Sequence, residues 1–266
     1  MASYDHIVRL AAVDNLLGAG RPRESMKVNE DLYVLQLPME FAGLRRDLSL
    51  ALIVNGDGAL TLVDTGLPGQ ENLIQEAIEQ AGFSPMDLKN IILTHQDVDH
   101  IGAAAALKKR TGATVWADAI EIPYIEGKTP LLKLPSPERL ASVPDFAALW
   151  EMFRFCDVDQ ILNDGDVLPI AGGVRVVATP GHTPGHCSLL LERTKVLIAG
   201  DALVAERGVL GGPSEWATPE IITARESVKK LADFDLEAIL CYHGGMVTTH
   251  VNDQLQRLSE RASAPA

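Results

Sequence analysis

The sequence predicts an α/β fold in which two β-sheets pack together with helices on the outside. Strand-like segments fall into two groups, on either side of a proline-rich stretch, and helical periodicity appears between and after them. Almost half of the 266 residues are hydrophobic, enough to fill a core between two sheets.

The elements follow in order. Residues 32–37 alternate weakly, and the apolar run 48–54 leads into Asn55-Gly56-Asp57-Gly58, a hairpin turn cluster. Residues 59–64 return as a strand. A helix is expected over about 71–80, with Leu73, Ile74, Ala77 and Ile78 on one face and Gly82 closing it. Residues 90–94 read as a short buried strand, 103–110 as a helix and 113–116 as another strand. The stretch 119–160 carries Pro123, Pro130, Pro135, Pro137 and Pro144, then a compact helical run with Phe146, Trp150, Met152 and Phe153. It reads as a partly helical insertion within one domain spanning 1–266. After the turn Asn163-Asp164-Gly165-Asp166, strands are expected at 173–178, 188–191 and 196–199. A helix over 219–231, a strand at 238–241 and a last helix from 251 to 261 complete the chain.

Composition excludes several functions. A net charge of −13 argues against a nucleic-acid groove, which needs a basic surface. Cys156, Cys187 and Cys241 are too few and scattered for a disulfide framework, and Cys187 and Cys241 read as small buried hydrophobes. The first twenty residues have no basic segment followed by a long apolar run, and no stretch is long enough to span a bilayer. A cytoplasmic protein acting on a small molecule, without nucleic acid or membrane, is expected; a homodimer is left open.

Chemistry concentrates beyond the strand ends. His95, Asp97, Asp99 and His100 lie in Thr94-His95-Gln96-Asp97-Val98-Asp99-His100. His182 follows the strand 173–178, Asp201 follows 196–199, and His243 follows 238–241. Four histidines and three carboxylates can fill two metal shells with one shared ligand. That donor set suits zinc, iron or manganese. Room left for water makes the arrangement catalytic, with hydroxide available near neutral pH. His186 reads as a polar group satisfied by nearby backbone, and His6 and His250 as surface residues.

THQDVDH, TPGHTPGH, the isolated GD and CYHGG, in that order and preceded by VDTG at 63–66, resemble the metallo-β-lactamase superfamily over about residues 30–250. The resemblance implies an αββα sandwich with a dinuclear centre at one edge. His95, Asp97 and His182 would hold the first metal, and Asp99, His100 and His243 the second. Asp201 would bridge them, and Asp64 would orient ligands by hydrogen bonds.

Asp97 departs from the common His-x-His-x-Asp-His pattern. Two divalent ions facing Asp97, Asp99 and Asp201 keep one net positive charge, one fewer than with histidine at 97. A bridging hydroxide brings the sum to zero. Zinc is expected first, with iron or manganese as alternatives that this harder donor set favours.

These readings imply a metal-dependent hydrolase that delivers metal-bound hydroxide to a lactone, ester, thioester or lactam carbonyl. Asp99 and Asp201 are its catalytic carboxylates, and Asp99 helps pass a proton to the leaving group. Lactones come first by chain size, although lactonases of this family place a tyrosine shortly after the bridging aspartate and Ala202–Arg207 has none. The glyoxalase II type is disfavoured because its C-terminal helical extension is missing. The alternative is a diiron or mononuclear-iron redox enzyme. Tyr124 and Trp150 are candidate substrate contacts if the insertion caps the metals, and part of a packing patch or dimer contact otherwise. Arg207 is a candidate partner for a substrate carboxylate.

Overall fold

The computed structural model describes residues 22–41, 44–134 and 144–263. His6, the N-terminal leader reading, Pro135 and Pro137 lie outside the described residues.

The first sheet has seven strands in sequence order: β1 (Met26–Lys27), β2 (Leu32–Phe41), β3 (Leu44–Val54), β4 (Leu60–Val63), β5 (Leu88–Ile92), β6 (Thr114–Asp118) and β7 (Gln160–Leu162). The β1–β4 pairings are antiparallel, as short turns require, and the β4–β7 pairings are parallel, with helical crossovers. The second sheet holds β8 (Val167–Leu168), β9 (Val174–Ala178), β10 (Cys187–Leu191), β11 (Val196–Ile198), β14 (Ala238–Cys241) and β15 (Gly245–Val247), in the order β15-β14-β11-β10-β9-β8. A separate hairpin joins β12 (Val204–Glu206) to β13 (Val209–Gly211).

The two-residue period of the strands sorts their side chains onto two faces. Ala51, Ile53, Val63 and Ile92 meet Val174, Val176, Leu189, Leu191, Ile198 and Leu240 between the sheets. Leu50, Leu52, Leu60, Leu62 and Ile91 face the other way, under the helices α1 (Glu71–Gln80) and α3 (Ala104–Thr111), which bury Ile74, Ala77, Ile78 and Leu107. Val177, Leu190, Leu197 and Ile239 line the second sheet's outer face, beneath α6 (Ile221–Leu231) and α7 (Val251–Ser263). The layers are therefore helix, sheet, sheet, helix. Between these lie the short α2 (Val98–Ile101), α4 (Ile122–Ile125) and α5 (Pro144–Met152).

Several expected boundaries shift. β2 runs on past residue 37 and β3 starts before residue 48, because the pair zips as one continuous ladder from Leu32↔Ile53 to Phe41↔Leu44. β5 stops at Ile92 rather than Thr94, since Thr94 N–H turns to a carboxylate oxygen of Asp64. The strands β1, β7, β8, β12, β13 and β15 carry no sequence expectation. Each is two or three residues long, too short to show a period. Among the described residues, no helix is long and apolar enough to cross a membrane.

Candidate metal centre

Four strand ends of the two sheets bring the seven expected ligands to one edge. β5 leads to His95 and Asp97. The chain is extended at Asp97 (φ −63°, ψ 143°) and helical from Val98, so the motif turns a corner there. Asp97 stays with the strand side, while Asp99 and His100 ride on α2. β9 delivers His182, β11 Asp201 and β14 His243.

The corner splits the motif between two pockets. In the first, Asp97 Oδ2 lies 3.4 Å from His95 Nε2 and 3.0 Å from His182 Nε2. In the second, Asp99 Oδ2 lies 3.4 Å from His243 Nε2 and 3.9 Å from His100 Nε2. Asp201 stands between them. Its Oδ1 is 3.3 Å from His100 Nε2, and its Oδ2 is 3.2 Å from His182 Nε2 and 3.5 Å from His243 Nε2. Three ligand-sized groups result: His95/Asp97/His182, His95/His100/Asp201 and Asp99/His100/His243.

Hydrogen bonds on the far side of each ring set which nitrogen faces inward. Thr94 Oγ1 is within reach of both Asp64 oxygens, at 3.1 and 2.8 Å, and spends its hydroxyl proton on that carboxylate. It must then accept from His95 Nδ1, 2.9 Å away. Asp64 Oδ2 likewise accepts from His100 Nδ1 at 2.9 Å. His182 Nδ1 sits 3.2 Å from Thr218 Oγ1. The Nε2 atoms of His95, His100 and His182 are left to the cluster. This fixing of the outer nitrogen is how metal-bound imidazoles are oriented. Asp64 thus bonds both Thr94 and His100, from a left-handed backbone conformation (φ 61°).

The Asp64 turn and α2 are locked together. Thr65 N–H and Oγ1–H both donate to the carbonyl of His100, and Gly102 N–H donates to Gly66 O. A Cβ at Gly102 would fall 2.3 Å from Pro68 N and 2.4 Å from Leu67 C. Only glycine lets the helix come this close.

His186 is not turned toward the ligands. Its Nε2 accepts from Asp201 N–H at 2.9 Å. Its Nδ1 donates to Thr179 Oγ1 (2.8 Å), which donates to Ser188 Oγ (3.0 Å), which donates to Ala199 O (3.0 Å). Both ring nitrogens are used, so His186 positions Asp201 through its backbone. Burial, then repulsion from His182, pushes its pKa down to about 3. The folded protein keeps His186 neutral while the unfolded chain protonates it below about pH 6.5. Its stability contribution is therefore intact above that pH and lost as pH falls towards 3, by up to about 1.4 kcal/mol per unit. Urea unfolding from pH 7.5 to 4.5 should show wild type losing stability more steeply than His186→Gln. Parallel curves would contradict this.

Several residues of the site carried no sequence expectation. Glu121 is fully buried. Its Oε2 accepts from Gln96 N–H and Nε2–H, and its Oε1 accepts from Gly185 N–H, lacing the loop of His95 to the loop of His182. Gln96 Oε1 in turn accepts from Leu132 N–H at 2.8 Å. The turn held in this way carries Lys133, whose Nζ lies 2.6 Å from both Asp97 Oδ2 and His182 Nε2. One signal was available: Lys133 is a lone cation in Leu131-Leu132-Lys133-Leu134. Tyr242 packs its ring 3.9 Å from that of His100 and donates its hydroxyl to Asp99 O.

The expected substrate contacts lie elsewhere. Trp150 stacks on Phe153 with ring centroids 5.2 Å apart, and Phe153 meets Phe155 edge-on at 5.1 Å. Phe155 lines a surface hollow with Lys108 and Thr114, at the start of β6 and away from the histidines. Trp150 and the half-buried Tyr124 pack on the first sheet's outer core, so the packing reading describes them and the cap reading does not. Apolar side chains gain more from that core than from a polar metal edge. Arg207 is exposed at the tip of the β12–β13 hairpin. Gln254 of α7 bonds Leu210 and Gly208 there, so the tip lies against α7. The three cysteines are buried and unpaired, and burial pushes their thiol pKa values up.

The electrostatics suit cations. Burial works against ionised Asp97 and Asp201, but the neighbouring imidazoles, and for Asp97 also Lys133, outweigh it and hold both well below the usual carboxylate range. Burial likewise opposes a charged His243, yet Asp201 and Asp99 push it up to about 10. His95 is held well below its ordinary value, first by burial and then by His100. The buried His95 Nε2, His100 Nε2 and Asp201 Oδ1 have no hydrogen-bond partner. Orphaned buried polar atoms are costly, and three converging on one point fit metal ions as their partners.

The chain is similar to known proteins. Residues 44–243 match the family model described as the metallo-beta-lactamase superfamily. The chain is 32% identical over 221 residues to the probable metallo-hydrolase YflN of Bacillus subtilis (strain 168), covering 77% of this chain and 83% of that protein. It is 30% identical over 189 residues to a hydroxyacylglutathione hydrolase of Chelativorans sp. (strain BNC1), covering 70% of this chain and 58% of that protein. The fold is similar to the metallo-beta-lactamase family protein TTHA1429 from Thermus thermophilus, with a TM-score of 0.69 at 24% identity over 88% of this chain and 80% of that one. The strand ends, the oriented imidazoles and these likenesses agree: the chain belongs to the metallo-beta-lactamase superfamily and is a metal-dependent hydrolase.

Proposed function

We propose that the protein hydrolyses an ester-like carbonyl in a small molecule, with lactones first, then carboxylic esters, thioesters and lactams. The observation that carries this reading is Asp201, whose two oxygens face histidines of different pockets. It supports two ions acting on one substrate: His95, Asp97 and His182 would hold one, Asp99, His100 and His243 the other, with Asp201 shared. Ions held there supply Lewis acidity towards a carbonyl and a nucleophile at neutral pH. Zinc is the first expectation, and Asp97 leaves iron or manganese as alternatives.

The chain's own residues do the rest. Thr94, Asp64 and Thr218 hold the imidazoles so that little reorganisation accompanies reaction. Asp99 is the most exposed carboxylate of the cluster, with 27% of its side chain accessible. It is placed to receive a proton from the attacking water and return it to the leaving group. The relative named hydroxyacylglutathione hydrolase keeps thioesters in view.

The test is a substrate panel. Metal-depleted protein is loaded with zinc, manganese or iron and assayed on lactones, aryl esters, thioesters and β-lactams, with oxygen consumption followed in parallel. Turnover of one carbonyl class is expected. No turnover with any metal, alongside iron-dependent oxygen consumption, would sink the hydrolytic reading.

A further inference from the structure

Lys133 is a cation built into the ligand cluster. Its ammonium lies 2.6 Å from Asp97 Oδ2, 2.6 Å from His182 Nε2 and 3.1 Å from Ala217 O. An ammonium has three N–H donors and no lone pair, so three acceptors use all its protons and His182 Nε2 must be one of them. The other nitrogen of that ring is turned to Thr218. A neutral imidazole has one lone pair to give, so His182 Nε2 serves either Lys133 or a metal ion. Asp97, with two oxygens, can serve both.

We propose that Lys133 is the resident cation of the first pocket and competes with a metal ion for His182. The protein then binds one divalent ion tightly between Asp99, His100, His243 and Asp201. A second ion enters the first pocket only when Lys133 swings away. Charge supports this order. Three carboxylates are neutralised fully by one divalent ion and one ammonium, whereas a second ion beside a retained Lys133 leaves two positive charges in excess. Position supports it as well. The Lys133 turn is tied by Leu132 N–H to Gln96, the residue between His95 and Asp97, so the ammonium is aimed rather than wandering. The side chain is 23% exposed, and its flexible stem has a way out to solvent. Among the described residues, no lysine or arginine makes an ion pair with Asp99 or Asp201 of the second pocket.

The inference rests on the metal reading of the site, and the test separates the two. Metal-depleted wild type, Lys133→Met and Lys133→Gln are titrated with zinc by calorimetry, and bound ions are counted by native mass spectrometry. Cobalt absorption reports the ligand set, and thermal melting confirms folding. Wild type should take one tight equivalent and a second about 10- to 100-fold weaker, the size of one charged hydrogen bond. Both variants should take two tight equivalents; should Lys133→Met fail to fold, Lys133→Gln carries the comparison. Two equally tight equivalents in wild type, or one tight equivalent in the variants, would overturn the competition and leave the metal reading standing. No bound ion in any of the proteins would overturn both.

Discussion

Replacing Asp201 by alanine is expected to lower kcat/KM by about 1000-fold or more, the several kcal/mol that a positioned Lewis acid supplies. The reason is its place between the pockets, within 3.5 Å of His100, His182 and His243. Its backbone N–H still has His186 to bond, so the loop after β11 should keep its course. The variant should therefore melt as a folded protein while its metal content falls. The measurement is steady-state kinetics on the substrate class found by the panel, beside elemental analysis. Activity within tenfold of wild type would show that Asp201 shares no metal.

Gly102→Ala is expected to cost about 3 kcal/mol or more. The sign is informative, because local preference points the other way. Gly102 has helical dihedrals (φ −57°, ψ −41°), where alanine is normally the better residue by about 1 kcal/mol. The loss is purely steric: the added carbon would lie 2.3–2.5 Å from backbone atoms of Pro68, Leu67 and Gly66, none of which can rotate away. The clash also pushes α2 off the Asp64 turn, and with it His100. Denaturant unfolding measures the cost, and a variant as stable as wild type would disprove the close contact.

The cluster of histidines and carboxylates was legible in the sequence because its residue types are rare together and each follows an apolar strand. The helix Glu71–Gln80 and the strand Ala238–Cys241 were legible in their bounds, because burial imposes their pattern directly. What escaped was interaction across distance. Lys133 lies 36 residues beyond Asp97 in a turn without periodicity, and nothing local marks it as that residue's partner. Glu121 looks like any acidic residue ahead of a short helix until its buried bonds to Gln96 and Gly185 are seen. The aromatic residues of the insertion were conspicuous for their size, yet Trp150 and Tyr124 pack on the first sheet's outer core, while Lys133 and Glu121 reach the site.

The bonds of Gln96 bear on how this enzyme can be re-engineered. Gln96 binds Glu121 and Leu132, Asp97 binds Lys133, and Glu121 binds Gly185. The stretch from 119 to 134, the short motif after β5 and the loop of His182 are therefore bonded as one unit. A chimaera that borrows only the inserted stretch from a relative strands a buried glutamine and leaves Asp97 facing His95 and His182 without its ammonium. Loop swaps meant to change specificity should carry residues 95–97 with them, and directed libraries should vary positions 96, 97, 121 and 133 together.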